Sequence, residues 1–561
     1  MNQKRYTANI VIVGGSIAGM LAALSAKKHH REMDIIVIDK YFSAHAGKAT
    51  RGGGVFDFLN DVSVDEFMEF QITKIGMFLN DQHAMRRYVS HFNSNVELLE
   101  SIAGKIFVRN PDGTMYWKYP KDNYRHPWRS LSMEMDYLIK IKRACQKEGI
   151  TFIDRVGIVD FLKDGDSISG CLGYHIETGE EYIFNANAVI IANGDQNYGC
   201  MPMWSSARGE GLAAAWRCGA EMTNCEFSTF FQWSSLGFFY AVARCEDYIY
   251  DKDMVNIGSL YRTPVEADID SRTVVEWYKR IKSGKGPMRY IAENRNIRIT
   301  PTAPKGTRPL ADRLRGSTMF NCQYNESNDE LHPILIGEQS CIKVDEEMKT
   351  NIKGLYAVGD ACYSGSRVMG AVCCPPGRVR GSGLPWAVYS GNEAGICASE
   401  YASSISVLRK LSEQEIQIYR SQFLSPITRG GGNSSEELRM QIQRVMASIG
   451  YVLYCEEHRL KEGLNMIQGI EDRMNYIYAE DMHELFNCNE LRSMVTCAKM
   501  FFTAAMQRKE SRGWFLREDY PEQNDKDWLK WIVLRCGSDG EPVVRFEKIP
   551  IDSYPFKLKE K

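Results

Sequence analysis

A chain of 561 residues exceeds what one compact core holds, and it predicts roughly two to four domains. A hydrophobic share of 44% beside 25% charged residues is that of a soluble globular protein, and a formal charge of -2 excludes the basic surface that nucleic acids or anionic membranes require. No apolar run reaches the roughly 20 residues of a membrane helix, and none of the 16 cysteines stands at C-x-x-C spacing; the reading is reduced thiols in a cytoplasmic protein with neither a metal site nor an iron–sulfur cluster of its own.

The first predicted unit is "NIVIVGGSIAGMLAALSAKK", Asn9 to Lys28. Lys4 and Arg5 ahead of an apolar run imitate a secretory leader. A strand buried in a parallel sheet is also a continuous apolar run, and a leader has no need of glycines at this spacing, so the strand is the reading. Ile10–Val13 forms it, and Met20–Lys28 forms the following Ala/Leu-rich helix. Between them Gly14 allows the tight turn and Gly19 the close helix–strand approach, with Gly15 and Ala18 equally small. Ser16 stands where a dinucleotide fingerprint has its middle glycine; it is small enough for a pyrophosphate to reach the helix N-terminus, and its hydroxyl is a further donor.

A second strand, Ile35–Ile38, ends on Asp39, 25 residues beyond Gly14, a spacing that suits an acid accepting from ribose hydroxyls. Far along the chain, "TNIKGLYAVGDACYSGS" has a strand at Leu355–Val358 followed by Gly359 and Asp360, a carboxylate placed to meet the ribityl chain of a flavin. The two pieces together resemble the divided FAD site of the glutathione-reductase-like flavoproteins.

Further blocks narrow the resemblance. "NAVIIANGDQNYG" (Asn187–Gly199), "ARGEGLAAAWRCGAEMTNCEF" (Ala207–Phe227), "GRVRGSGLPWAVYSGNEAG" (Gly377–Gly395) and "ESRGWFLREDYPEQNDKDWLK" (Glu510–Lys530) are similar to segments of the fumarate reductase and succinate dehydrogenase flavoprotein superfamily. "ESRGWFLREDYP" and "IGEQSCIKVDEEMKT" point to its adenylylsulfate reductase α-subunit-like branch. The resemblance implies an α/β fold: a glutathione-reductase-like Rossmann FAD domain with an inserted capping domain and a helical C-terminal domain. It implies FAD contacts at Lys40, Lys48, Thr50, Gly53, Gly54, Val156, Asn193 and Gly194, besides the glycine turn, Asp39, Gly359 and Asp360. Ser382 and Leu384 open the helix whose positive end faces the flavin pyrimidine. His45 misses by one or two positions the histidine that binds flavin covalently in some members, so noncovalent FAD is expected.

The match has gaps. "FSTFFQWSS" (Phe227–Ser235) lacks the histidine of the substrate loop, and Ile336 occupies the place of a second one. Of the dicarboxylate clamp only Arg378 carries over, as the group that grips a substrate anion; Arg380 is the fallback. Arg289, ahead of Arg295 and Arg298, corresponds best to a cap arginine that donates a proton. His332 is a candidate for the substrate cavity, as are Phe230, Phe231 and Trp233, for which hydrophobic core is the favoured reading.

The expected organisation is a discontinuous FAD domain (1–210 and 335–405), a cap (211–334), a helical domain (433–530) and a C-terminal tail (531–561). "ITRGGGNSSEEL" reads as a glycine-rich linker into a helix start with a Ser434–Glu437 capping box. Leu438, Ile442, Val445, Ile449 and Val452 then mark one amphipathic helix face, and "EPVVRFEKIPI" a closing strand. The function expected is an FAD oxidoreductase reducing an unsaturated or sulfur-containing acid. A dehydrogenase or oxidase is one alternative. The other is a subunit docking a ferredoxin-like iron–sulfur partner, and homo-oligomerisation is left open.

Overall fold

The computed structural model of the chain describes residues 2–51, 55–119, 129–200, 208–230, 232–235, 249–261, 271–291, 331–335, 339–362 and 383–558. At its centre is a sheet whose strands are β1 (Gln3–Val13), β2 (Ile35–Asp39), β3 (Thr151–Asp154), β4 (Val156–Asp164), β5 (Ser167–His175), β6 (Glu181–Ile191) and β7 (Leu355–Ala357). The order is β3-β2-β1-β6-β5-β4. Strands β3, β2, β1 and β6 run parallel, and the β4–β5 hairpin adds antiparallel to the first half of β6. β7 pairs in parallel with the second half, Leu355 opposite Val189 and Ala357 opposite Ile191. Val13, Asp39, Ile191 and Ala357 therefore end at one edge, and the chain departs from β1 in opposite directions there. Such a switch point is where doubly wound sheets open a ligand crevice.

The first strand is longer than the apolar run that announces it. Gln3–Thr7 pair with Glu181–Asn185 while staying largely exposed, so their polarity hides a strand from a hydrophobicity reading.

Helix α1 (Ile17–His29) covers the sheet with Met20, Leu21, Ala22 and Ala23 fully buried. Against it lies α3 (Gly383–Ser403), which follows α2 (Glu210–Cys218) in the chain. The α1–α3 contact is made of small residues: Gly391 and Gly395 face the carbonyl oxygens of Ala18 and Ala22, where a Cβ would stand 2.4 and 2.3 Å away. This contact brings the first turn of α3 to the same sheet edge.

The C-terminal region packs α4 (Ser435–Met446), α5 (Glu457–Met474) and α6 (Met482–Gln507). Leu438, Ile442, Val445, Ile449 and Val452 are all buried, but not on one helix. The chain leaves helical geometry at Ser448 (ψ 117°), and Ile449–Val452 form a separate short turn. The break lets Tyr454–Cys455 pair with Leu516–Arg517, a demand that spacing alone does not reveal. Ser434 is the N-cap of α4 but its side chain caps nothing. Glu437 bonds Arg473 and Gln441 instead of closing a capping box. The closing hairpin, β8 (Lys530–Cys536) and β9 (Pro542–Lys548), pairs with Met222–Thr223. Among the described residues no helix is long and apolar enough to cross a membrane.

Candidate functional site

The turn after β1 is fixed from both sides. Gly14 N–H donates to Ile38 at 2.7 Å, and its φ of 121° with an Ala192 carbonyl 2.3 Å from any added Cβ excludes every other residue. Gly15 N–H donates to Asp39 Oδ2 at 2.8 Å, while Asp39 Oδ1 accepts from Tyr41 N–H at 2.7 Å. Burial pushes the Asp39 carboxyl up, against those two backbone bonds. Gly19 sits where its Cβ would meet the Gly14 carbonyl at 2.0 Å. Ser16 caps α1 without a side-chain bond and no acid stands in the first turn, so the N-terminal amides and the Ser16 hydroxyl are left to an anion. Gly47 passes above, a Cβ there being 3.8 Å from Ser16 Oγ.

Further predicted residues meet at this edge. Lys48 Nζ lies 2.6 Å from Asp195 Oδ2 and 3.3 Å from Asp360 Oδ2. Asn193 and Gly194 (φ 85°) follow β6, and the Asn193 Oδ1 is buried without a hydrogen-bond partner. Gly359 N–H donates to Ser390 Oγ on α3 at 3.0 Å, and its carbonyl accepts from the Trp386 indole at 3.1 Å. Leu384 is half-buried in the first turn of α3. Val156 is buried at the start of β4, one residue beyond Arg155, whose N–H donates to Tyr41. Thr50 is exposed and bonds the Ala46 carbonyl. His45 is exposed on the same loop.

Lys40 is held by a contact that sequence reading missed. Its ammonium sits between Glu210 of α2, at 2.5 Å, and Glu490 of α6. Burial alone would lower this amine; the two carboxylates outweigh it and hold Lys40 above the lysine range. Glu210 is held below the usual carboxylate range, again by Lys40 against burial. Also unforeseen is Ser43, bonded through N–H and Oγ to Asp154 Oδ1 at 3.0 and 2.5 Å, which fixes the loop over Gly15. These pairs join residues more than 100 positions apart, and no local signal marks them.

An anion-receptive helix start, an acid for a ribose, an unsatisfied amide oxygen and a strand-end carboxylate make a cradle that fits FAD. Comparison with known proteins agrees. A family model described as an FAD binding domain matches residues 9–239, and one described as the fumarate reductase flavoprotein C-terminus matches 439–561. The chain belongs to the fumarate reductase and succinate dehydrogenase flavoprotein superfamily. It is an FAD-dependent oxidoreductase. The succinate dehydrogenase flavoprotein subunit of Rickettsia bellii is 23% identical over 98% of this chain and 96% of its own length. The FrdA chain of E. coli quinol fumarate reductase superposes with a TM-score of 0.80 at 18% identity, over 99% of this chain and 98% of that one. Adenylylsulfate reductase from Archaeoglobus fulgidus gives 0.77 at 16% identity over the same shares. The two structural likenesses carry the fold.

In this flavoprotein the cap residues are separated from one another by exposure. Gln232–Ser235 pair antiparallel with Leu331–Ile334, Trp233 opposite Pro333 and Ser234 opposite His332. Phe230 and Trp233 are fully buried, as core residues are, and His332 is half-buried. Leu331 N–H bonds the Met288 carbonyl at 2.8 Å, which brings Arg289 beside the His332 strand, but Arg289 itself is exposed. Gly53, Gly54, Phe231, Arg295, Arg298, Ile336, Arg378, Arg380 and Ser382 lie outside the described residues.

A buried ion network ties the chain at Glu226 to the C-terminal block. Arg508 bonds Glu226 and Glu510, each at 2.8 Å, and Arg512 bonds Glu510 and Asp525 at 2.8 Å; both guanidinium groups are fully buried. Arg512 also donates to the Met77 carbonyl at 2.7 Å. The "ESRGWFLREDYP" block is thus linked to Glu226 through Arg508 and to Met77 through Arg512.

Proposed function

We propose that this flavoprotein reduces a small acid carrying a polarised double bond or a sulfur-containing group. The observation that carries the reading is the crevice at the sheet edge, where Gly14–Gly19, Asp39, Asn193 and Asp360 converge under the start of α3. Relatives named for succinate dehydrogenase and fumarate reductase, and the likeness to adenylylsulfate reductase, support an acidic substrate. "FSTFFQWSS", with no histidine and with Phe230 and Trp233 in the core, argues against a plain C4 dicarboxylate.

FAD, when bound, supplies hydride or electron-pair transfer through N5. On this reading Ser16 and the amides of α1 hold the pyrophosphate, Asp39 the ribose and Asp360 the ribityl chain. The positive end of α3, which begins at Gly383, would stabilise negative charge on the ring. Arg378 grips the substrate anion in bidentate fashion, Arg289 delivers the proton, and His332 lines the cavity. To test this, the enzyme is reduced anaerobically and mixed with a panel of enoates and with adenylylsulfate. Reoxidation by at least one acceptor is expected; none by any of them overturns the reading.

A second reading is supported by the relatives' own designation as subunits: the chain passes electrons to or from an iron–sulfur protein. A brown polypeptide co-purifying from the native source supports it, and full turnover by the lone chain contradicts it.

A further inference from the structure

Lys48 opens a short helix, Lys48–Arg51, directly after Gly47. Its ammonium reaches two carboxylates that come from different strands: Asp195, four residues past β6, and Asp360, three past β7. The two contacts differ in kind. Asp195 is closer, at 2.6 Å against 3.3 Å, and its side chain is 1% exposed where that of Asp360 is 18% exposed. A buried carboxylate keeps its cation, because separation leaves an uncompensated charge in a low dielectric. Lys48 is therefore anchored on Asp195 and leans toward Asp360, the acid assigned to the ribityl chain.

Folding does not explain the pair. A buried ion pair contributes no more stability than apolar side chains of the same volume, and core residues are plentiful here. Its place does suggest a use, since it stands in the crevice at the C-terminal ends of the parallel strands.

We infer that Lys48 and Asp195 are a matched ion pair facing the flavin, Asp195 positioning Lys48, and that the pair sets the charge under which the cofactor is reduced. The inference rests on the FAD reading above. With the charges 2.6 Å apart, their fields largely cancel at a distance, so neutralising either partner changes the charge facing a bound cofactor by one unit. Lys48→Met then makes the charge facing the cofactor one unit more negative and makes reduction harder. Asp195→Asn makes that charge one unit less negative, with Asp360 still beside the ammonium, and makes reduction easier.

The experiment measures midpoint potential by dye equilibration, and FAD affinity by quenching on reconstitution of the apoprotein, for Lys48→Met, Asp195→Asn and the double variant. Expected are a fall in potential for Lys48→Met, a rise for Asp195→Asn, and a return toward wild type in the double variant. A role confined to folding moves both single variants the same way or neither, and that result overturns the inference. If Lys48→Met gives no cooperative thermal transition, Asp195→Asn against Asp195→Glu decides: a raised potential for Asn alone supports the pair, and equal potentials overturn it. A wild-type chain that binds no FAD overturns the cofactor reading as well, an outcome distinct from FAD bound with unshifted potentials.

Discussion

Gly391 of α3 lies directly against the carbonyl oxygen of Ala18 on α1, so close that an added Cβ would stand 2.4 Å from it. The same turn of α1 carries the amides proposed to hold the pyrophosphate, and the same helix α3 carries Ser390, which bonds Gly359. One small-residue contact thus sets the distance between the two halves of the FAD site.

Gly391→Ala should force the helices apart. Overpacking of this kind costs about 1–3 kcal/mol. The expected outcome is a lower thermal midpoint together with reduced flavin content, read by differential scanning fluorimetry and by absorbance. An unchanged midpoint with full FAD would show that the α1–α3 spacing does not govern the site.

Lys40 ties β2 to α2 and α6, and its removal leaves Glu210 without its cation and Glu490 with Arg208 at 3.9 Å. Lys40→Met should cost about 3–5 kcal/mol, measured by urea unfolding. The pH dependence follows from the depressed Glu210 carboxyl. A depressed carboxyl contributes stability that is fully present above its unfolded pKa of about 4.3 and is lost as pH falls through the folded value. The stability difference between wild type and Glu210→Gln should therefore hold from neutral pH down to about 5 and shrink in more acidic buffer. A difference that grows on acidification contradicts the assignment.

The sequence made the FAD half of the molecule legible because its signals are local. Gly14, Gly19 and Asp39 fall within one βαβ unit, and Gly359-Asp360 follows its strand directly. The ion pairs that fix this frame were not legible: Lys40 meets Glu490 and Lys48 meets Asp195 across long stretches of chain. The break at Ser448 escaped for a related reason, since both short helices turn the same apolar face inward. The capping box at Ser434 failed because Arg473 competes for Glu437. Catalytic expectations fare differently again: Arg289 and His332 come near each other through backbone pairing, while Arg289 remains exposed.

Arg508 is the fully buried hub between Glu226 at the cap entry and Glu510 in the C-terminal block. Arg508→Met strands the buried Glu226, while Glu510 keeps Arg512, and should destabilise by about 3–5 kcal/mol. Glu226→Gln added to it should cost less than the sum of the two single changes, because the second removes a charge the first left bare. Additive losses in a double-mutant cycle would show that Glu226 and Arg508 act independently.

The most direct test of the account is the absorption spectrum of the purified protein before and after acid precipitation. The exposed His45, one or two positions short of a covalent anchor, and the cradle at Gly14–Gly19 and Asp360 predict flavin bands that pass into the supernatant as FAD. Flavin retained in the pellet would contradict the noncovalent site, and a protein that stays colourless after FAD is added back would contradict the account as a whole.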